Sequence, residues 1–112
     1  MKIGRNLNLN KYSRIVAHEF IRIGDNVTIA QFVSILDHDH QYKIVVGKMI
    51  LDGYLTQPIN IGNNVWIGDK VTICKGVTIG NNVIIGANSV VTKDIEDNSI
   101  AAGNPCKKLK SI

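Results

Sequence analysis

Aliphatic residues recur at every sixth position through the second half of the chain, with small or polar residues between them. The series runs through Ile61, Ile67, Ile73, Ile79, Ile85 and Val91. Its period matches neither the ~3.6 residues of a helical turn nor the two-residue alternation of a simple sheet. It is typical of a coil with three flat sides, each a short extended segment closed by a turn. The pattern therefore predicts an all-β solenoid, a parallel β-helix in which the aliphatic residues point inward.

The residues between the aliphatic positions fit this prediction. Most of the aliphatic residues are followed by glycine, and Ile73 by Cys74, as expected where backbone crowds backbone. A second inward series consists of Val65, Val71, Val77 and Val83. Asparagines such as Asn63 and Asn64 suit the turns, because Asn tolerates positive φ.

The same grid continues upstream, through Ile3, Leu9, Ile15 and Ile21 and then through Ile23, Ile29 and Ile35. We expect one domain over residues 1–112, with coils at 3–22, 23–40, 61–78 and 79–96. Residues 41–60 are expected to form an inserted loop, and residues 97–112 a C-terminal tail. Because a stacked column leaves its ends and flat faces uncovered, a partner subunit is expected.

Composition narrows the function classes. The net charge of +4 is modest and aromatic residues make up 5% of the chain, so the basic and aromatic surface of a nucleic-acid-binding protein is missing. No apolar run approaches the roughly 18 residues of a membrane span, and no signal peptide follows Met1. Cys74 and Cys106 form no disulfide framework. The sequence predicts a cytoplasmic protein with reduced thiols and no membrane span.

Candidate chemistry lies in Asp37, His38, Asp39 and His40, immediately before the insertion. An inserted loop can fold over the edge of a solenoid and exclude water from such a cluster. The residues alone leave three interpretations: a solvated turn, a metal site, or a catalytic base, for which histidine is suited at neutral pH. Only His18 could join a metal site, so no metal is expected.

Several motifs share an order and spacing with a known family. They are IGRN at 3–6, IGDNV at 23–27, PINIGNNVWIG at 58–68, GVTIG at 76–80, IIGANSVVTKDI at 84–95 and AAGNPCKK at 101–108. In these motifs the chain resembles the hexapeptide-repeat acetyltransferases, whose fold is a left-handed parallel β-helix. The resemblance is closest to the galactoside and maltose acetyltransferase branch.

This resemblance implies acetyl transfer from acetyl-CoA to a hydroxyl or amino group, commonly of a sugar. It assigns the general base to His40, with His38 as second choice, and direct transfer without a covalent acyl-enzyme. Asn10 falls at the acceptor-binding position of the family. The exposed indole expected at Trp66 is interpreted as a wall of the substrate cleft or a subunit contact.

The resemblance also implies a cofactor site and an assembly. Ala87, Thr92 and Lys93 match positions that contact the pantetheine arm, and Lys107 and Lys110 match basic positions that pair with CoA phosphates. The family forms homotrimers with sites in the clefts between subunits. The insertion is apolar for a surface loop, so we expect it to pack on a neighbouring subunit and line the acceptor pocket.

The expected function is O-acetylation of a sugar or glycan precursor, for example in surface polysaccharide or lipopolysaccharide assembly. N-acetylation of an amino sugar is the near alternative, and a non-catalytic β-helix subunit is another. A carbonic anhydrase on the same fold is disfavoured, because the spacing of His18, His38 and His40 does not supply its zinc ligands.

Overall fold

The computed structural model describes all 112 residues, and every regular element in it is a β-strand. Short strands form three sheets, which are the sides of a column. Sheet 1 contains β1 (Lys2–Ile3), β4 (Ile21–Ile23), β9 (Ile59–Ile61) and β12 (Thr78–Ile79). Sheet 2 contains β2 (Leu7–Leu9), β5 (Val27–Ile29), β10 (Val65–Ile67), β13 (Val83–Ile85), β15 (Ser99–Gly103) and β16 (Cys106–Ser111). Sheet 3 contains β3 (Arg14–Val16), β6 (Ser34–Leu36), β11 (Thr72–Ile73) and β14 (Val90–Val91). A separate antiparallel hairpin pairs β7 (His38–Val45) with β8 (Lys48–Thr56).

The inward aliphatic residues form one continuous core of 20 buried residues along the column. In sheet 1, for example, Ile23, Ile61 and Ile79 are register partners in successive coils. Each fully buried isoleucine contributes about 1.5–3 kcal/mol relative to an exposed one. The six-residue period therefore places an aliphatic side chain on the inner face of each side of the coils, as the sequence predicts.

Asparagines form a ladder at the corner between sheets 1 and 2. Each has a positive φ near 60°, and the side-chain amides of the first four donate to the amide oxygen of the asparagine in the next coil at 2.9–3.3 Å. The ladder consists of Asn6, Asn26, Asn64, Asn82 and Asn98. The prediction that asparagine occupies the turns is confirmed.

Glycine is required beside this ladder because successive coils touch there. A Cβ on Gly62 would lie 2.7 Å from the carbonyl oxygen of Gly80. No side chain fits at that distance, so glycine after the aliphatic residue lets the coils approach to hydrogen-bonding distance at this corner.

The coil lengths follow the predicted register over most of the chain. Equivalent residues are 20 apart between the first two coils, 38 apart across the insertion, and 18 apart between the coils that follow. The two extra residues of the first coil lie in the corner after β3, where the chain turns from sheet 3 to sheet 1. This longer corner holds part of the candidate site.

The C-terminal segment departs from the predicted boundaries. Equivalent residues there are only 16 apart, and Ile95 pairs with Ile79, so the fourth coil ends earlier than the predicted residue 96. The predicted tail at 97–112 instead contains β15, which continues sheet 2, and β16, which folds back antiparallel onto it. Two residues are missing from the corner after Val91, and this deletion conceals the continuing repeat in the sequence.

The insertion also begins and ends at different residues from the predicted 41–60. The chain leaves the column after Asp37, so His38 and His40 belong to the hairpin rather than to a side of the second coil. Ile59 and Asn60 already belong to sheet 1. The column measures 52 × 28 × 23 Å with its hairpin, and it contains no helix of the length and hydropathy needed to cross a membrane.

Candidate active site

Asp37 is the last residue of the column before the hairpin begins at His38. It is fully buried, and its two carboxylate oxygens accept hydrogen bonds from the backbone N–H groups of His18, Glu19 and Phe20 at 2.7–2.9 Å. Burial in itself raises the pKa of Asp37, but these hydrogen bonds and one from His38 outweigh it and lower the pKa below its ordinary value. The longer first coil therefore wraps its extra corner around an ionised carboxylate.

His38 is oriented by this carboxylate. Its Nδ1 lies 3.2 Å from Oδ1 of Asp37. Because an ionised carboxylate only accepts, Nδ1 must carry the hydrogen, and Nε2 then holds the lone pair that can take up a proton. The ring is also stacked on His18, with centroids 3.7 Å apart and planes inclined by 17°. One tautomer and one ring orientation are thus selected.

Tyr54 of β8 lies against all three histidines. Its ring is edge-on to His18 and His38, with centroid distances of 4.6 and 5.5 Å, and tilted against His40 at 5.0 Å. His40 is exposed, and its only aromatic contact is Tyr54. It has no carboxylate comparable with the Asp37 partner of His38. The two predicted bases are therefore in the same cluster but in different surroundings.

Two further contacts tie the hairpin to the column. Asp39 forms an ion pair with Lys75 of the third coil at 3.1 Å. The hydroxyl of Thr56 donates to Glu19 at 2.7 Å. Together with the Asp37 interactions, these contacts fix both strands of the hairpin at their base.

A cleft of about 380 Å³ opens beside the histidines, between the outer surface of sheet 3 and the base of the hairpin. Its lining consists of Arg14, Val16, Leu36, His38, Asp39 and His40. It combines apolar wall, one guanidinium and two imidazoles, and it is of the size that small-molecule sites occupy. The two histidines of this cleft were predicted from the sequence, whereas Arg14 was not.

The other predicted acceptor residues lie outside the cleft. Asn10 is exposed at the end of β2, and its side-chain amide donates to the carbonyl oxygen of Ile29 at 2.8 Å. Trp66 is 55% exposed in the middle of β10, on another side of the column from the cleft. Within one chain, therefore, neither residue meets His38 or His40, and their roles remain predictions.

The residues predicted to bind CoA are all exposed and away from the cleft. Ala87, Thr92 and Lys93 lie on the turns on either side of β14, and Lys107 and Lys110 project from β16. Among the tail lysines, Lys108 rather than a predicted residue forms an ion pair, with Glu96 at 3.1 Å. Lys93, Lys107 and Lys110 make no ion pair.

The cysteines are not activated. Burial, together with the nearby Asp39 carboxylate, raises the pKa of the Cys74 thiol, and burial also raises the pKa of Cys106. Both are therefore neutral thiols near pH 7 and weak nucleophiles. No group of three or more histidine, cysteine, aspartate or glutamate side chains in the chain has a metal-binding arrangement.

Sequence reasoning missed Arg14, His18 and Tyr54 as neighbours of the predicted base. His18 could have been found, because the two-residue excess of the first coil marks its corner as irregular. Tyr54 could not, since its position depends on how β7 and β8 pair, and a register shift lies between His40 and Tyr42.

Comparison with known proteins places this geometry in a family. Residues 58–93 match the family described as "Bacterial transferase hexapeptide (six repeats)". The chain is 47% identical over 111 residues to a galactoside O-acetyltransferase of Escherichia coli (strain K12), a match that covers 98% of this chain and 53% of that protein. The chain thus spans about half the length of the curated relatives it matches first.

Solved structures agree. A galactoside acetyltransferase in complex with coenzyme A superposes with a TM-score of 0.85 and 44% identity, over 98% of this chain and 54% of that one. A maltose O-acetyltransferase from Clostridium difficile 630 superposes with a TM-score of 0.70 and 35% identity, over 99% of this chain and 69% of that one. The predicted left-handed parallel β-helix is confirmed. On its repeats, its fold and these relatives, the chain belongs to the hexapeptide-repeat acetyltransferases.

Proposed function

We propose that the protein transfers an acetyl group from acetyl-CoA to a hydroxyl group of a sugar or glycan precursor. The observation that carries this proposal is the oriented imidazole of His38, hydrogen-bonded to buried Asp37 at the edge of a cleft. The family supplies the reaction class, since relatives are named O-acetyltransferases and one binds coenzyme A. Consumption of acetyl-CoA fits the cytoplasmic location expected from reduced thiols. Glycan assembly is the process we assign.

The chemistry requires one proton acceptor. Nε2 of His38 accepts the proton of the acceptor hydroxyl while that oxygen bonds to the thioester carbonyl carbon. The tetrahedral intermediate then collapses, the carbon–sulfur bond breaks, and the imidazolium returns its proton to the departing thiolate. The negative Asp37 stabilises the imidazolium formed in between. No cysteine takes part, which agrees with the raised pKa of Cys74 and Cys106.

This proposal reverses the order in which the sequence analysis ranked the two histidines. His38 has a fixed tautomer, whereas His40 is exposed and contacts only Tyr54 among the aromatic residues. An oriented base loses less entropy in the transition state than a mobile one. His40 then becomes a wall of the acceptor site.

The remaining predicted residues require a second subunit. Asn10 and Trp66 lie on other parts of the column than His38, so one acceptor molecule reaches them together only across an interface. We assign Ala87, Thr92 and Lys93 to the pantetheine arm, and Lys107 and Lys110 to the CoA phosphates. A closed homotrimer with three equivalent clefts satisfies this arrangement.

The hairpin offers a surface for such an assembly. Four apolar side chains share one face of it, are 55–66% exposed, and form the register pairs Tyr42–Leu51 and Ile44–Met49. Val46 at the tip is 95% exposed and has a φ of 50°, unfavourable for a β-branched residue. This face is suited to pack on the column of a neighbouring subunit.

The first prediction concerns the base. We expect His38→Ala to lower kcat for acetyl transfer by about 100-fold or more, and His40→Ala to lower it by less than about tenfold. The measurement is thiol release from acetyl-CoA over a panel of sugars, with coenzyme A binding checked separately. A dead His40→Ala and an active His38→Ala would reverse the assignment.

The acetylated products of this assay distinguish O-acetylation from N-acetylation. An O-acetyl ester is cleaved by mild alkali, whereas the amide formed on an amino sugar survives. If the wild-type protein binds coenzyme A but acetylates no acceptor, the non-catalytic subunit is favoured.

A further inference from the structure

Arg14 is the one charged residue of the cleft that has no partner of opposite charge in the chain. It opens β3 in the first coil and lines the cleft together with His38 and His40. Its Nε donates to the hydroxyl of Ser34 in the next coil at 3.2 Å. This hydrogen bond holds the inner part of the guanidinium against the column.

The guanidinium has no anionic partner within the chain. Four ion pairs join a lysine or arginine to a carboxylate, and none of them includes Arg14. Asp39 is the acidic residue that lines the same cleft, but its carboxylate is paired with Lys75 at 3.1 Å. Asp37 is buried and saturated with hydrogen bonds from the corner of the first coil. The cleft therefore keeps an uncompensated positive charge next to the imidazoles.

We propose that Arg14 binds a carboxylate on the acceptor, which makes the acceptor an acidic sugar of the uronic-acid type. The inference rests on the proposed function, since it concerns the same cleft. A guanidinium presents two parallel N–H groups that match the two oxygens of a carboxylate. With Nε already engaged by Ser34, the terminal nitrogens remain for this contact.

The position of Arg14 gives this contact a role in specificity. A sugar held by its carboxylate at Arg14 presents its ring hydroxyls toward His38 and His40, across Val16 and Leu36. A neutral sugar leaves the guanidinium without that partner. Arg14 is thus a specificity-determining residue and takes no part in proton transfer.

The test compares two acceptors, each with acetyl-CoA. They differ only at C6, which is a carboxylate in methyl β-glucuronide and a hydroxymethyl group in methyl β-glucoside. We expect the wild-type protein to favour the glucuronide in kcat/KM by about 10- to 100-fold, the usual range for a charge-assisted hydrogen bond. Arg14→Gln should abolish this preference by lowering kcat/KM for the glucuronide, while KM for acetyl-CoA stays unchanged. Arg14→Lys should retain part of it, because the charge remains without the planar fork.

The matched control is Arg22→Gln, which removes an exposed arginine from the middle of β4, outside the cleft. It should leave the preference intact. A smaller oligomer of Arg14→Gln in size-exclusion chromatography would mean that Arg14 forms an ion pair between subunits. A raised KM for acetyl-CoA would instead assign Arg14 to the CoA phosphates. Either result overturns the inference.

Binding of the glucuronide, followed by ligand-observed NMR without acetyl-CoA, separates this inference from the proposed function. Equal acetylation of both sugars by the wild-type protein refutes the acidic acceptor and leaves the acetyltransferase standing. Arg14-dependent binding of the glucuronide without any acetyl transfer refutes the acetyltransferase proposal and leaves the acidic ligand standing.

Discussion

At the scale of single residues, Asp37 connects the architecture with the proposed chemistry. Its carboxylate closes the corner of the first coil through three backbone N–H groups and orients His38 from the same position. Replacement by asparagine keeps the size but exchanges one acceptor oxygen for a donor that faces other donors. We expect Asp37→Asn to lower the free energy of unfolding by about 2–4 kcal/mol at pH 7, because hydrogen bonds to charged groups are the strong ones.

The pH dependence of this effect has a definite sign. The folded-state pKa of Asp37 is lowered, so its stabilisation is complete above the unfolded-state pKa of about 3.9 and is lost as the pH falls through the folded value. Urea unfolding from pH 7 down to pH 3 should therefore show a smaller acid loss in Asp37→Asn than in the wild-type protein. Asp39→Asn is the control, and its exposed ion pair should contribute less than about 1 kcal/mol. Equal stability of Asp37→Asn and wild type would contradict the anchoring role.

A second residue-scale prediction concerns the corner between sheets 2 and 3. Lys70 has a φ of 59° there, whereas the equivalent position of the next coil is Asn88 with a φ of 64°. The left-handed conformation costs an ordinary side chain about 1 kcal/mol, and asparagine tolerates it. We expect Lys70→Asn to raise the free energy of unfolding by about 0.5–1 kcal/mol, measured by urea denaturation.

The first coil provides the control for this substitution. Lys11→Asn changes the same residue type in the first coil at a position without positive φ, so it should give no gain. A loss of stability in Lys70→Asn would mean that the lysine side chain makes a favourable contact that outweighs the backbone strain.

At the scale of elements, the sequence predicted most where the repeat is regular. The aliphatic period and the turn asparagines determine three sides, because each inward side chain must stack on its counterpart. Prediction failed where a corner loses or gains residues. The short corner before Ile95 conceals β15, and the hairpin begins at His38 because Asp37, rather than an aliphatic residue, ends the buried side.

The candidate site was predicted only in part from the sequence. The pair of histidines stood out because it precedes an insertion, but their ranking depended on which imidazole faces a buried carboxylate. That distinction requires the path of the chain through Asp37 and the corner around His18. Arg14 occupies an outward position like many others in the repeats, and only the fold of the hairpin over sheet 3 makes it part of a cleft.

At the scale of the whole molecule, the column is narrow and its first coil is incompletely covered. Ile3 and Leu9 occupy inward positions of the repeat yet are 45% and 47% exposed, because only the second coil packs against them in the structure. The later coils bury the equivalent residues almost completely. Such a column gains stability from contacts outside itself. The hairpin, which projects from its side with an exposed apolar face, is the element best placed to make them.

The last prediction tests this assembly through the hairpin. Ile44→Thr with Met49→Thr removes one register pair from the apolar face and keeps β-propensity, so the hairpin should persist. We expect the proposed trimer to dissociate, with a fall in molar mass by sedimentation equilibrium and a loss of transfer activity. The control is Val45→Thr with Ile50→Thr, which changes two aliphatic residues on the opposite face of the same hairpin and should leave the mass unchanged. If both variants stay trimeric, the subunits meet through the flat sheets, and the exposed apolar face then serves the acceptor instead.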